Sequence, residues 1–445
     1  MDKARETAMK VLQEVHEKGA YANVALAQAL RRTELTDQDR RFVTELVYGA
    51  VKAGDTLDWI LRRYINRPIS KIPPVIREIL RLGLYQIFYL DKVPPSAACN
   101  TSVDLAKKYG HKGVAGFVNA VLRTAVREPE KAAFPQGKGH ATEELALKSQ
   151  HPLWLVKHWV KAFGFEEAER LCNFDNESAK LCLRTNTLKG NREDLLKELT
   201  ACGAEAEISD WTPEGVTVKS HGALDALAPL QEGRAQVQDE SSMLVAHVVA
   251  PKPGEFILDC CSAPGGKTTH MAALMGNKGR IVAGDIYEHK LARIEENAER
   301  LGIGIIETML LDAREAGDKF PGQADRVLVD APCSGLGVLR RKPDARWHKK
   351  QEELKELPSL QLEILKSAAQ AVKPGGVLVY STCTIERAEN QAVVEAFLSE
   401  NKEFKLEKTG SFLPCPGSHS EDEMVQLYPQ QDGTDGFFIA RIKRL

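Results

Sequence analysis

Two cysteines stand just past the ends of apolar runs. Cys333 follows Arg326-Val-Leu-Val-Asp-Ala-Pro332, and Cys383 follows Gly376-Val-Leu-Val-Tyr-Ser-Thr382. Each run reads as a buried strand, so both thiols are expected on one rim of a sheet, beside any ligand held there. A single cysteine is most often a packing residue. Two of them at two strand ends next to a ligand site favour chemistry. The reaction that suits such thiols is addition to an electron-poor ring. Carbon 5 of cytosine is a poor nucleophile, but a thiolate adding at carbon 6 makes carbon 5 enamine-like and able to take a methyl group. This splits one hard step into two. A free thiol has a pKa of about 8.5, so the site must favour the thiolate. After transfer the carbon 5 proton must leave and the sulfur must be expelled, which calls for a second acid–base group. Spacing alone leaves open which cysteine takes which part. Asp330 can hold or donate the proton at ring N3, and a base must be unstacked to be reached from both faces.

The methyl donor points to a second stretch, Phe256-Ile-Leu-Asp-Cys-Cys-Ser-Ala-Pro-Gly-Gly-Lys-Thr-Thr-His270. It reads as a buried strand, a tight turn and a helix start, the place where open α/β sheets hold nucleotide-like ligands. A phosphate loop would need glycine where Cys261 stands, and a dinucleotide fingerprint would need G-x-G-x-x-G. Both are missing, so S-adenosylmethionine, with ribose and adenine but no phosphate, fits better. Acids close successive strand patterns at Asp259, Asp285, Asp312 and Asp330. Asp285 is placed for ribose hydroxyls and Asp312 for an adenine amino group. Any single one of them could be only a helix cap; four at four strand ends favour a ligand site.

Strands are expected at Phe256–Cys260, Arg280–Asp285, Ile305–Leu311, Arg326–Asp330 and Val377–Thr382, with helices between them, notably Glu288–Leu301 and Leu360–Val372. That alternation implies a mostly parallel sheet. Phe404–Glu407 and Phe437–Ile442 add two strands around a loop of about Gly410 to Asp435. Upstream, Leu181–Asn186 and Val216–Val218 read as strands, and Pro152–Phe163 and Arg192–Thr200 as helices. Trp154 and Trp159 fall at helical spacing and are expected in a core rather than stacking on bases. From Ala4 to about Arg127 spacings of three and four recur. Met9, Leu12 and Val15 share one helix face, and Val24, Ala27 and Leu30 are expected to share another. Thr36-Asp-Gln-Asp39 reads as a capping box. The first part is therefore an all-α bundle.

The full set of motifs resembles a known family. Cys261-Ser-Ala-Pro-Gly-Gly-Lys267, Asp330-Ala-Pro-Cys-Ser-Gly335, Arg340-Arg-Lys-Pro-Asp-Ala-Arg-Trp347 and Ser381-Thr-Cys-Thr384 are similar to elements of the Nop2/Sun family of RNA cytosine-C5 methyltransferases. Gln238-Asp-Glu-Ser-Ser242, Asp435-Gly-Phe-Phe438 and Arg184-x-Asn186 with Lys189 match as well. The resemblance implies Cys383 as nucleophile, Cys333 as the residue that assists adduct release, and Asp330 at N3. It also implies a cofactor site of Cys261, Ser262, Ala263, Pro264, Gly265, Gly266, Lys267, Asp285, Asp312 and Asp330, holding S-adenosyl-L-methionine. Pro73-Pro-Val-Ile-Arg-Glu-Ile-Leu-Arg-Leu-Gly-Leu-Tyr-Gln86, Val93–Asn100 and Gly116–Arg123 resemble the RNA-binding helical domain of the antitermination factor NusB. The combination implies naked or early-assembly 16S rRNA as substrate. A tRNA substrate, or an RNA-binding scaffold without catalysis, are the alternatives.

The expected organisation is multidomain: an all-α NusB-like bundle (1–130), a linker (131–145), a small α+β, RRM-like module (146–235) and an α/β, Rossmann-like methyltransferase domain (236–445). Composition agrees. Of 445 residues 43% are hydrophobic and 27% charged, as in globular proteins. Net charge is −2, yet the first 130 residues carry an excess of roughly six positive charges. Arg31, Arg32, Arg40 and Arg41 are candidates for phosphate contact. The nine cysteines form no paired framework, and neither C-x-x-C nor H-E-x-x-H occurs, so no metal and a reducing cytoplasm are expected. The charged start and the lack of long apolar runs lead to no expected signal peptide or membrane span. A monomer that binds no DNA is expected.

Overall fold

The computed structural model describes residues 2–137, 139–220, 227–415, 417 and 419–445. The chain forms two compact units. One comprises the residues up to Asn176 together with Arg341–Lys349; the other comprises Glu177–Arg340 and Lys350–Leu445. No helix among the described residues is long and apolar enough to cross a membrane.

The first unit is helical. Its long helices run over Lys3–Lys18, Ala22–Arg32, Asp37–Arg62, Pro74–Tyr89, Pro95–Tyr109 and Lys112–Arg127. Their ends follow from sequence. The Asp2 side chain caps the first helix through the Arg5 amide, and the Thr36 hydroxyl caps the third through the Asp39 amide. Such caps contribute about 1 kcal/mol each. Pro74 and Pro95 open the next two, where a missing N–H costs nothing. Met9, Leu12, Leu46, Leu57, Ile79, Leu80 and Leu122 build one core. The expected face Val24–Ala27–Leu30 is a miss, since Val24 is exposed while Ala22, Ala25 and Leu26 are buried. Alanines at the same periodicity turn inward because small side chains let the helix approach its neighbours closely.

The region expected as a linker runs into a helix at Ala141–Lys148, and further helices follow at Leu153–Phe163 and Phe165–Phe174. Trp159 lies fully buried in the second of these, edge-on to the His151 ring, while Trp154 is half-buried. The segment Arg341–Lys349 completes this unit. The Arg346 guanidinium is buried and donates to the carbonyls of Gln150 and Asp175 and to the Asn176 side chain. Trp347 donates to the Lys52 carbonyl, and Asp344 accepts from the Ala22 amide. The helix Asp37–Arg62 kinks at Gly54, whose φ is +41°. A Cβ at Gly54 would fall 2.3 Å from the Trp347 indole, so only glycine leaves room for the tryptophan.

The second unit holds two sheets. Strands β1 (Leu181–Thr185), β2 (Glu205–Ile208), β3 (Gly215–Ser220) and β4 (Ala235–Val237) form an antiparallel sheet of order β2-β3-β1-β4. Leu183, Val216 and Ala235 join Leu195 and Leu199 of the helix Arg192–Ala201 in its small core. The larger sheet comprises β5 (Phe256–Asp259), β6 (Arg280–Asp285), β7 (Ile306–Leu310), β8 (Ala324–Asp330), β9 (Val372–Thr382), β10 (Phe404–Leu406), β11 (Met424–Leu427) and β12 (Phe437–Arg444). Its order is β7-β6-β5-β8-β9-β12, parallel up to β9, with β12 antiparallel to β9 and β10 and β11 on the far edge of β12. Alternate residues feed opposite faces. Leu258, Val327 and Val329 meet Ile364, Leu365 and Ala368 of the helix Glu353–Ala371. Ile257 and Leu328 meet Leu244, Val248 and Met271. Strand order reverses between β5 and β8, and the carboxyl ends of those two strands are where such sheets bind ligands. The stretch Gly410–Asp435, expected as a loop, contains β11 and a short helix at Pro429–Asp432. Val425 and Leu427 alternate into the core, a pattern too short to stand out in sequence.

Candidate active site

The turn after β5 is built by local chemistry. Gly265 adopts φ +94°, a conformation that side chains rarely take, and a Cβ there would press on Ile294 at 3.2 Å. The Ser262 hydroxyl donates to the Gly284 carbonyl at 2.8 Å, fastening the turn to β6. Arg184 of β1 is fully buried. It donates to the Gly266 carbonyl at 2.6 Å, to the Thr269 hydroxyl at 3.0 Å and to the Gln238 side chain. Asn186 donates to the carbonyls of Gly233 and Leu301, and Lys189 to those of Glu232 and Arg300. The Arg184–Asn186–Lys189 pattern thus clamps the small sheet to the turn and to the end of the helix Glu288–Leu301.

Beside this turn lies a cavity of about 510 Å³. Among the expected cofactor residues, Cys261, Ala263, Asp285, Asp312 and Asp330 line it, with Ile286, Tyr287 and Pro332 as apolar walls. Ser262, Pro264, Gly265, Gly266 and Lys267 shape the turn instead of lining the cavity. Asp285 accepts from the Tyr287 amide at 3.0 Å. Asp312 caps its own short helix and is paired with Arg314 at 2.6 Å, whose hydrogen bond holds the carboxyl below its usual range. Asp259 ends β5 fully buried, and its carboxyl accepts from the Thr268 hydroxyl at 2.7 Å. Burial raises that carboxyl to about 7.

The two cysteines meet. Cys333 Sγ and Cys383 Sγ are 3.4 Å apart. Asp330, at the end of β8, accepts from Lys267 Nζ at 2.7 Å and from the Ser381 hydroxyl at 2.9 Å. Burial opposes the Lys267 charge, yet Asp330 and, more weakly, Cys383 hold its pKa above the ordinary lysine value. The attraction is mutual, so this ammonium favours a thiolate at Cys383. The hydrogen bond to Cys383, together with burial, pushes the Cys333 thiol well up. Cys260 and Cys261 are also pushed up, chiefly by burial, which leaves them poor nucleophiles.

Sequence reasoning missed the layer beneath. Glu389 and Asn390, in the turn after β9, are fully buried. Asn390 donates to the Thr384 carbonyl and accepts from the Thr382 hydroxyl at 2.6 Å, flanking Cys383. Gln361 donates to the Pro332 carbonyl and to Glu389. Glu389 and Asn390, six and seven positions after Cys383, were the available signal. The Asp435-Gly-Phe-Phe438 motif also has a place. Asp435 pairs with Arg340 at 2.8 Å, the Gly436 amide donates to the Gly337 carbonyl, and the Gly337 amide donates to the Cys383 carbonyl. Phe437 lies under the Lys267 ammonium, 5.0 Å from ring centre to nitrogen.

Glu214, His247 and His270 form a separate cluster, in which Glu214 and His270 are buried and His247 is partly exposed. Both imidazole Nε2 atoms stand 2.7–2.9 Å from Glu214. Ligands around zinc are about 3.3 Å apart, given bonds of about 2.0 Å, and the Arg184 cation already helps to push the His270 pKa down to about 4, after burial. The spacing is that of hydrogen bonds, and the cluster reads as a polar network joining the β2–β3 loop to the helices Glu240–Val249 and Gly266–Leu274.

Known proteins share these features along the chain. Residues 246–443 match the profile described as 16S rRNA methyltransferase RsmB/F. Residues 2–127 match the NusB family, and 151–225 match a ferredoxin-like domain described as Methyltr_RsmF/B-like. A probable ribosomal RNA small subunit methyltransferase B of Bacillus subtilis is 43% identical over 447 residues, covering 99% of this chain and 98% of that protein. The crystal structure of PH0851 superposes with a TM-score of 0.85 at 29% identity, covering 100% of this chain and 99% of that one. NSun6 from Pyrococcus horikoshii, solved with SFG, gives a TM-score of 0.59 at 27% identity over 66% of this chain and 98% of its own.

Proposed function

The chain belongs to the family of 16S rRNA methyltransferases RsmB/F, and from that premise we propose that it methylates carbon 5 of one cytosine in 16S rRNA, through a covalent bond from Cys383 to carbon 6. The observation that carries this reading is the contact of Cys333 and Cys383, 3.4 Å apart, beside the Lys267–Asp330 pair at the rim of the cavity.

The cavity suits S-adenosylmethionine. Its three acids, Asp285, Asp312 and Asp330, share it with apolar walls at Ile286 and Tyr287, and the Gly265-Gly266 turn offers no phosphate cradle. Asp285 would hold ribose hydroxyls and Asp312 the adenine amino group. When bound, this cofactor supplies an electrophilic methyl group. The remaining steps fall to the chain itself. Cys383, favoured as thiolate by Lys267, adds to carbon 6 of the flipped base. As the S–C bond forms N3 takes up a proton from solvent, and the Asp330 carboxylate accepts a hydrogen bond from that N–H, which draws electrons from the ring. Once Cys383 is bonded its negative charge is gone, and with it the main cause that kept Cys333 protonated. Cys333 then releases its proton to solvent and takes the carbon 5 proton. The carbon 5–carbon 6 double bond reforms, Cys383 leaves as thiolate, and the N3 proton returns to solvent to give the neutral base. The NusB-like helical part is assigned to holding the rRNA.

Methylation assays with labelled cofactor on separate rRNA and tRNA pools, followed by mapping of the base, test the substrate. Label confined to tRNA would overturn it. Cys383→Ala is expected to lose at least about a thousandfold in rate, and Cys333→Ser to accumulate a protein–RNA adduct stable in denaturing gels. A methylating Cys383→Ala variant would refute the nucleophile.

A further inference from the structure

We propose that Glu389 is a positioning residue of this site, whose buried carboxylate fixes Cys333 as the hydrogen-bond partner of Cys383. The inference rests on the reading that Cys383 attacks the base.

The geometry is that of an acceptor serving only donors. Glu389 accepts from the Ser334 amide at 2.8 Å, from the Ser334 hydroxyl, and from the Gln361 side-chain amide at 2.9 Å. The Tyr380 hydroxyl donates to its backbone carbonyl at 2.6 Å. Ser334 directly follows Cys333, and its hydroxyl also meets that of Thr384, which directly follows Cys383, at 2.8 Å. One carboxylate therefore governs the residues next to both thiols. The loop that carries Cys333 has no strand or helix of its own before Leu339, so these bonds set where its thiol points. Bonds from N–H or O–H to a carboxylate are about twice as strong as neutral ones. A carboxylate buried among apolar side chains is strongly unfavourable unless it is so occupied, which argues against a purely incidental Glu389. A glutamine here could still accept from the Ser334 amide while its NH2 donates to the serine hydroxyl, so its shape is tolerable and only the charge-assisted grip is lost.

Alkylation with iodoacetamide across pH, mapped by mass spectrometry, reads the effect without RNA. The titratable groups that face the thiol pair include Lys267, which is paired with Asp330, and Glu389, whose charge helps to raise the Cys333 thiol. In the unaltered protein Cys383 is expected to react before Cys333; the reverse order refutes the nucleophile assignment itself. With that order established, Glu389→Gln is expected to move the pH midpoint of Cys383 alkylation up by about one unit and to lower kcat at least tenfold, with the KM for S-adenosylmethionine within twofold. A variant with an unchanged midpoint and kcat overturns the proposal. So does one that is only less heat-stable, with the midpoint unmoved, because a merely structural role predicts that result. Should Glu389→Gln not fold, Ser334→Ala and Gln361→Ala, each removing part of the same grip, are expected to move the midpoint in the same direction by less. Two unmoved midpoints overturn the proposal equally.

Discussion

At the scale of single residues, Asp259 is a buried acid beside a reactive centre, and its titration has a definite sign. Its folded value of about 7 lies above the unfolded value of about 3.9. Between these the folded state keeps the proton and the unfolded state does not. The stabilisation is complete below about pH 4 and is lost as pH rises through about 7. Asp259→Asn mimics the protonated form and keeps an acceptor for Thr268. Its stability relative to the parent is expected to improve by on the order of 2 kcal/mol between pH 5 and pH 8, as read by urea unfolding. A difference that does not change with pH would exclude this. The same residue scale shows what sequence could reveal. Cys333, Cys383 and Asp330 were legible because strand ends share a rim, and the structure brings them together. Glu389, Asn390 and Gln361 were not, because a polar residue in a turn or on a helix reads as solvated until the fold buries it.

At the scale of elements, β1 supports the cofactor turn through one side chain. Arg184→Ala is expected to take the charged donor away from the Gly266 carbonyl and from the Gln238 side chain and to weaken S-adenosylmethionine binding at least tenfold by titration calorimetry. Unchanged affinity would mean that the turn holds its own shape. The long connection before β12 has a different fastening. His419 lies between Asp432 and Asp422 at 3.0 and 2.8 Å, and the bonds to these acids raise it to about 9. Its stabilisation is complete below the unfolded value of about 6.5 and lost as pH rises through about 9. Hydrogen exchange at residues 419–433 is expected to be slower in the parent than in His419→Ala at pH 7, and the two are expected to converge above about pH 9.5. Equal exchange at pH 7 would discard the tie. The parallel strands were legible as apolar runs between helical patterns. Strands β2, β4 and β11 were not. Each is three or four residues long, and β2 is half-exposed, so pairing with neighbours defines them more than composition does.

At the scale of the whole molecule, the motif Arg340–Trp347 looked in sequence like part of the catalytic equipment. Only Arg340 belongs to the catalytic unit, where it pairs with Asp435; the residues after it complete the helical unit. Sequence order could not show this, since it depends on a segment packing far from its chain neighbours. Arg346→Ala removes three buried hydrogen bonds and is expected to cost about 3–5 kcal/mol. Calorimetric melting of the full chain should show the loss, while alkylation of Cys383 at pH 8 stays unchanged. Melting at the parent temperature would show that the segment contributes little to the unit.

That borrowed segment also sets a schedule. Chains are made at about 5–20 residues per second, and Trp347 is synthesised roughly 170 residues after Asn176. During the intervening ten to thirty seconds or so, the helical unit lacks the Trp347 indole that packs at Gly54 and the Arg346 guanidinium that donates to the carbonyls of Gln150 and Asp175. The helical unit therefore begins to be made ahead of the other unit but is completed only after much of that unit has been synthesised.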